Sequence, residues 1–151
     1  MVSRIRFLEK LLEKKKIEGT DYEIRENLLK LMYLWTFLIA GMIGIFIVFA
    51  PEMTQSLLGI PKQDSIMFGV LGSLWMAFGL LALIGFFRDP IKFVPILLVQ
   101  LTYKIIWYVA VVIPVAITQG LQFHAILMVI IFATYVIGDF FVIPFKFLFE
   151  K

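Results

Sequence analysis

Long stretches without charge restrict the possible folds of this chain more than any other feature. Leu31–Pro51 and Ser65–Phe87 contain no charged residue, and residues 93–145 contain only Lys104 and Asp139. A helix that crosses a bilayer needs about 20 mainly apolar residues, whereas the helices of a soluble bundle carry a polar face. The pattern predicts an all-α integral membrane protein, a bundle of four transmembrane helices. With a polar break at 118–122, these spans cover about 29–50, 65–87, 93–117 and 123–145.

Composition excludes several kinds of site. The chain is 62% hydrophobic and 17% charged, whereas soluble domains are near half apolar and a quarter charged. It has no cysteine and a single histidine, His124. A disulfide framework, a thiolate zinc site, a catalytic cysteine and a multi-histidine metal site are therefore excluded. We expect no metal and no cofactor in this chain.

The distribution of basic residues predicts the orientation. Four spans place both termini on one side, together with the loop at 88–92, and that side holds 12 Lys and Arg residues. The other side holds Lys62 alone. Because basic residues near the spans stay in the cytoplasm, we expect both termini there, in a multi-pass protein of the cell or inner membrane. No cleavable signal peptide is expected, since the first span follows a long charged region.

The N-terminal region is predicted to be a separate unit. Residues 1–19 place Val2, Ile5, Leu8 and Leu12 at helical spacing among six basic residues. This pattern predicts a basic amphipathic helix that binds anionic lipid head groups; the alternative is a solvated helix that only enforces topology. Gly19 is expected to end it, and Thr20–Glu23 resembles a capping box that starts the next helix. Residues 20–151 then form the transmembrane domain.

Prolines and capping residues predict where the helices end or bend. Pro51–Leu58 is expected to form a short outer helix closed by Gly59, and Asp64 or Ser65 to cap the second span. Pro114 should bend the third span, and Pro144 the end of the fourth.

Small residues predict close helix packing. Ala40 and Gly44 lie four residues apart in the first span, and Gly69 and Ser73 do so in the second. Such spacing lets helices approach closely. We expect the first two spans to pack together, either within one chain or between chains.

Two charges inside the apolar stretches need a separate explanation. Lys104 lies eleven residues beyond Phe93, about 16 Å into the layer, and Asp139 lies on the neighbouring span. A charge at this depth costs roughly 3 kcal/mol, and pairing lowers that cost. We therefore expect the two side chains to meet inside the bundle.

Other polar and aromatic residues share the faces of this pair. On the third span, Gln100, Lys104, Trp107, Val111 and Pro114 follow one helical stripe. The candidate ligand-binding cluster is Gln100, Tyr103, Lys104, Trp107, Tyr135 and Asp139. One interpretation is a buried salt bridge that fixes helix register, and the other is a site that holds a ligand's polar head or relays protons. No catalytic residue is assigned.

The order of short motifs resembles the DoxX-like superfamily of small four-span membrane proteins. The resemblance covers roughly residues 30–145 and rests on five segments: Phe49-Ala50-Pro51, Leu58-Gly59-Ile60-Pro61, Gly69-Val70-Leu71-Gly72 through Gly79-Leu80-Leu81, Arg88-Asp89-Pro90 and Tyr103-Lys104. Some relatives act as accessory subunits or with quinone-coupled oxidoreductases. The resemblance implies an accessory role, or one in contact with lipid or quinone.

Three functions remain to be compared. The first is a structural or accessory membrane protein, as a homo-oligomer or in a larger membrane complex. The second is a binder or transporter of a small amphipathic molecule at the Lys104–Asp139 cluster. A membrane enzyme is disfavoured because acid, base and nucleophile do not converge, so the chain is expected not to be an enzyme. We expect the lipid bilayer, and no nucleic acid, among its partners.

Overall fold

The computed structural model describes residues 2–17 and 19–150. In chain order, the elements are α1 (Val2–Leu12), β1 (Lys15–Lys16), β2 (Glu23–Ile24), α2 (Glu26–Phe49), α3 (Pro51–Leu58), α4 (Ser65–Phe87), α5 (Pro90–Thr118), α6 (Phe123–Val142) and α7 (Phe145–Phe149).

Four of these helices, α2, α4, α5 and α6, are long and apolar enough to cross a membrane. This confirms the prediction of four such helices. In the 18-residue apolar segment of each of these helices, only 22 to 33% of the segment is buried inside the bundle. Most of the apolar surface therefore faces outward, as expected for helices surrounded by lipid.

The N-terminal region differs from the prediction. The first helix ends at Leu12, and β1 and β2 then pair as a short antiparallel hairpin. A helix over residues 1–19 is therefore too long. Two residues of the predicted range, Met1 and Glu18, lie outside the described part of the chain. The side chains of Val2, Arg4 and Leu8, which belong to the predicted faces, lie outside it as well.

The predicted capping box is wrong. Thr20 lies in the hairpin turn, where its hydroxyl donates to the carbonyl of Ile17 over 3.1 Å and accepts from the N–H of Tyr22 over 3.3 Å. Threonine hydroxyls often stabilise turns in this way, in competition with helix capping. The next helix, α2, begins only at Glu26.

Both ends of the described chain lie at the same end of the bundle. The Tyr22 hydroxyl donates to a carboxylate oxygen of Glu150 over 3.0 Å. The Tyr33 hydroxyl donates to the carbonyl of Pro90 over 2.6 Å, which ties α2 to the turn between α4 and α5. We call this the terminal end, and the opposite end, with α3 and the loop at 119–122, the loop end.

At the loop end, the helices begin and end at the predicted capping residues. Helix α3 starts at Pro51 and stops at Gly59, which has φ +64°. A carboxylate oxygen of Asp64 then accepts from the N–H groups of Ile66 (3.1 Å) and Met67 (2.9 Å), which caps α4. These predictions are confirmed.

Glycines bring α2 and α4 together within one chain. A Cβ built on Gly79 would collide with the backbone of Gly41, and one built on Gly44 would lie 2.7 Å from the carbonyl oxygen of Gly72. A Cβ built on Gly69 would meet no atom of the described residues within 4 Å, and Ser73 is exposed. The predicted close packing is therefore intrachain, but Gly69 and Ser73 take no part in it.

Pro144 ends α6 instead of bending it. The helix stops at Val142, and α7 begins at Phe145. Proline lacks an N–H and forces the preceding residue out of the helical region. Ile143 accordingly has ψ +122°, so the fourth span is three residues shorter than predicted.

Candidate functional site

The polar cluster is built on α5. Gln100 and Lys104 are one helical turn apart, and both are buried, with exposures of 0% and 1%. The Lys104 ammonium (Nζ) donates to Oε1 of Gln100 over 3.1 Å. This spacing places the two side chains on one face of the helix. The amide oxygen thus supplies one polar partner for the buried ammonium.

Aromatic rings surround the rest of the Lys104 ammonium. Nζ lies 4.1 Å from the ring centroid of Tyr135, 4.5 Å from that of Tyr103 and 5.3 Å from that of Phe132. A cation over an aromatic face is stabilised by the ring quadrupole, more strongly when water is excluded. These rings, with Gln100, form a cage around the charge.

Trp107 belongs to the wall and not to the cage. Its ring packs against Phe132, with centroids 5.0 Å apart, and Phe132 in turn packs against Trp75 at 5.8 Å. Trp107, a predicted member of the cluster, reaches the cage through Phe132, a residue that the sequence pattern did not single out.

Asp139 is buried in the bundle but does not pair with Lys104. Its exposure is 0%. Within residues 2–17 and 19–150, its two carboxylate oxygens have no hydrogen-bond partner and lie more than 4.0 Å from Nζ. The expected direct contact is therefore absent from this structure. On α6, the ammonium lies instead over the ring of Tyr135, one turn before Asp139.

Tyr135 connects α6 to α2 through its hydroxyl. This hydroxyl accepts from the N–H of Ala40 over 3.3 Å and donates to the carbonyl of Trp35 over 3.4 Å. These backbone groups are five residues apart, the spacing of a π-helical hydrogen bond. The hydroxyl is inserted between them, and α2 is π-helical at Phe37–Gly41. A side chain inserted into the backbone ladder widens a helix in this way.

A second π-helical segment, Tyr108–Val112, lies just before Pro114 in α5. The proline ring clashes with the carbonyl four residues back, so the predicted distortion is present. The wider turn shifts the helical face by about one residue. Val112 is buried (9%) while Val111 is exposed (47%), so the predicted stripe holds to Trp107 and fails at Val111 and Pro114.

Two further buried polar residues come from α2. Tyr33 and Thr36 both have 0% exposure. Neither residue was predicted to join the cluster, although Tyr33, Thr36 and Ala40 follow the spacing of one helical face. The Tyr33 hydroxyl is bonded to Pro90, whereas the Thr36 hydroxyl has no partner in the described part of the chain.

Side chains almost fill the centre of the cluster. A cavity of about 10 Å³ lies among Ala40, Trp75, Lys104, Phe132 and Tyr135. That volume is about the space for one water molecule. Drug-sized ligands need cavities of about 300–1,000 Å³, so no such molecule fits in this conformation.

No group of three or more His, Cys, Asp and Glu side chains that could hold a metal ion occurs in the described residues. Gln100, Tyr103, Lys104 and Tyr135 come together as predicted, Trp107 is one ring away, and Asp139 is buried without a hydrogen-bond partner among the described residues. The arrangement can hold a positive charge at the centre of four helices. It does not align a nucleophile with a base.

Comparison with protein-family models, with curated proteins and with solved structures gives no match for this chain.

Proposed function

We propose that this chain is a multi-pass membrane protein of structural or accessory type, and not an enzyme. The observation that carries the proposal is the closed centre of the bundle, where about 10 Å³ remains among the side chains that surround Lys104. A transporter or binder in its receptive state needs a pocket of ligand size at its site. A packed polar centre instead fixes how helices fit together.

The contacts around Lys104 support a packing role, because they join all four spans. Lys104 lies on α5, its nearest ring is Tyr135 on α6, and the Tyr135 hydroxyl bonds to the backbone of α2. Trp75 of α4 packs on Phe132 of α6. Polar contacts between helices are a main source of association in lipid. The cluster therefore specifies one arrangement of the four helices.

The setting of the protein is part of the proposal. We place the protein in a cell or inner membrane, and the charge asymmetry favours an orientation with the terminal end in the cytoplasm. The resemblance to the DoxX-like superfamily supports an accessory role, in a homo-oligomer or a larger membrane complex. α1 lies on anionic head groups.

A second candidate function is favoured by a specific observation. Five buried polar atoms of the described residues have no hydrogen-bond partner: Thr36 Oγ1, Trp75 Nε1, Gln100 Nε2 and both carboxylate oxygens of Asp139. Unsatisfied polar groups are expensive in a low-dielectric interior. A bundle that opens to admit the polar head of a small amphipathic molecule would satisfy them.

One experiment separates the two functions. The protein is extracted into lipid nanodiscs and studied by native mass spectrometry as wild type and as the double variant Lys104→Met, Asp139→Leu. A structural role predicts no molecule whose retention depends on this pair. It also predicts a double variant at least as stable as wild type, because apolar side chains remove two buried ionisable groups, each of which is costly to keep away from water.

The control is Thr102→Val, which removes an exposed hydroxyl from α5, bonded to the carbonyl of Leu98, without touching the cluster. A quinone-like or lipid molecule bound at one per chain to the wild type and to this control, but lost from the double variant, would overturn the structural role. A double variant that does not fold would contradict the stability predicted for a structural role, and in a folded double variant the loss of the molecule is specific to the cluster.

A further inference from the structure

Two concave surfaces lie along one seam between α2 and α6. At the terminal end, a cleft of about 800 Å³ lies between the hairpin and the end of α6; we call it the terminal cleft. Further along the same helices, an apolar groove of about 290 Å³ is lined by Leu31, Met32, Leu34, Trp35, Leu38 and Thr134. We call it the seam groove. Their arrangement resembles the shape of a lipid, with a head region and a tail region.

Contacts along α2 and α6 show that the two surfaces follow the same seam. The Trp35 indole N–H donates to the Thr134 hydroxyl over 3.1 Å, at the groove. One turn nearer the terminal end, Met32 packs against Gly138. Arg25 and Phe145 then line the cleft. From Arg25 to Trp35 the helix rises about 15 Å, which an acyl chain can span.

The terminal cleft contains cations with no partner in the described part of the chain. Arg25 and Lys146 both line it, and the side chain of neither makes an ion pair or hydrogen bond there. Lys14, also in the lining, pairs with Glu23 at 3.2 Å. Arginine and lysine side chains are common phosphate ligands. Three acidic residues also line the cleft, and each has a partner: Glu23 pairs with Lys14, Asp21 pairs with Lys16, and Glu150 accepts from the Tyr22 hydroxyl. Arg25 and Lys146 are thus the two lining cations left for the phosphate group of a lipid.

The apolar side of the seam also fits a lipid. The groove exposes Leu31 (47%), Trp35 (37%) and Leu38 (49%) on the outer surface of a span, and Phe141, Pro144 and Phe145 line the cleft below it. A free phosphate ion would gain nothing from these side chains, whereas an acyl chain buries apolar surface against them.

We propose that the α2–α6 seam is a binding site for one glycerophospholipid, with its phosphate between Arg25 and Lys146 and an acyl chain in the seam groove. The inference rests on the membrane setting of the proposed function but not on the Lys104 cluster. It is separate from the binding of α1 to anionic head groups, because no residue of α1 lines either surface in the described residues.

The test uses Trp35 as the reporter of the tail. The full chain in maltoside micelles is titrated with a phosphatidylcholine whose acyl chains are brominated, and bromine quenches nearby tryptophan. The quenching assigned to Trp35 is the difference between the wild type and Trp35→Phe. The site predicts quenching that saturates near one lipid per chain.

Two charge variants locate the head group. Arg25→Gln with Lys146→Gln should raise the half-saturating lipid concentration about 25-fold, at roughly fivefold for each cation near a phosphate. The matched control is Arg88→Gln with Lys92→Gln, which removes two cations at the same end from the neighbouring cleft and should leave quenching unchanged. If the double variant Arg25→Gln with Lys146→Gln perturbs folding, the single variant Lys146→Gln replaces it, because the Lys146 side chain is exposed.

Four outcomes would overturn the site. Quenching that rises without saturation would show annular lipid only. Equal half-saturation for both charge variants would remove the head-group assignment. Equal quenching by a brominated diacylglycerol would show that phosphate is irrelevant. Displacement of the lipid by inorganic phosphate at millimolar concentration would show a free-phosphate site. The Lys104→Met, Asp139→Leu variant should bind the brominated lipid as the wild type does, so failure here and failure of the proposed function are distinguishable.

Discussion

Replacing Gly44 with alanine tests how closely α2 approaches α4. The added Cβ would collide with the backbone N of Met76 and would lie 2.7 Å from the carbonyl oxygen of Gly72 and 2.9 Å from the carbonyl carbon of Trp75. Ordinary contacts begin near 3.4 Å. The two helices must therefore separate by at least about 0.7 Å, the shift that the Gly72 contact alone requires, since backbone atoms cannot turn aside as a flexible side chain does.

The cost follows from two opposing terms. Overpacking a close contact costs about 1–3 kcal/mol, and the rigid backbone on the facing helix places this site in the upper half of that range. Replacing glycine with alanine inside a helix returns about 1 kcal/mol. We expect Gly44→Ala to lose about 1–2 kcal/mol of unfolding free energy.

Gly69→Ala is the matched control. It is the same substitution in α4, at a position with nothing within 4 Å, so it should gain up to about 1 kcal/mol. The difference of about 2–3 kcal/mol corresponds to about 4–12 °C in Tm for a chain of this size. Thermal unfolding of both variants in one detergent measures it. A Gly44→Ala protein as stable as Gly69→Ala would refute the close approach of the helices.

Three further predictions concern single contacts. Tyr33→Phe removes the hydrogen bond to the Pro90 carbonyl and leaves it buried, so thermal unfolding should show a loss of about 1–2 kcal/mol; an unchanged Tm would contradict the contact. Asp64→Ala removes the cap of α4 and should cost about 1 kcal/mol, whereas Asp64→Asn should retain most of it. The hydrogen bond to the Glu150 carboxylate raises the pKa of Tyr22 above its ordinary value of 10.0. The contact is therefore present at neutral pH and lost as pH rises through the raised pKa; ultraviolet titration of the wild type and of Glu150→Gln should show that the variant lowers the pKa of one tyrosine toward its ordinary value.

The sequence predicted the transmembrane helices well because their determinants are local. Each span must be apolar and must satisfy its own backbone hydrogen bonds, so the charge-free stretches locate α2, α4, α5 and α6 within a few residues. The largest errors fall where local rules compete. The turn at Thr20 replaced a predicted helix start, and Pro144 ended a helix that was expected to bend.

The candidate cluster was predictable in part. Helical spacing and the cost of buried charge predicted that Gln100, Lys104 and Tyr135 face the interior. Beyond Trp107 the buried residues depart from α-helical spacing, because the π-helical segment before Pro114 shifts the buried face by one residue. The buried polar residues that α2 contributes, Tyr33 and Thr36, were not predicted, although they lie on one face of the helix.

The sequence by itself determined that four apolar helices form and that Lys104 and Asp139 are the two charges within them. Both conclusions are local, because the cost of a charge in lipid depends only on whether the segment that carries it is long and apolar enough to span. Only the tertiary structure decided what meets the Lys104 ammonium. The ammonium lies over the ring of Tyr135, whose hydroxyl enters the backbone ladder of α2, and it makes no ion pair with Asp139. Those contacts join residues about 30 to 100 positions apart, so the local spacing within one helix does not specify them.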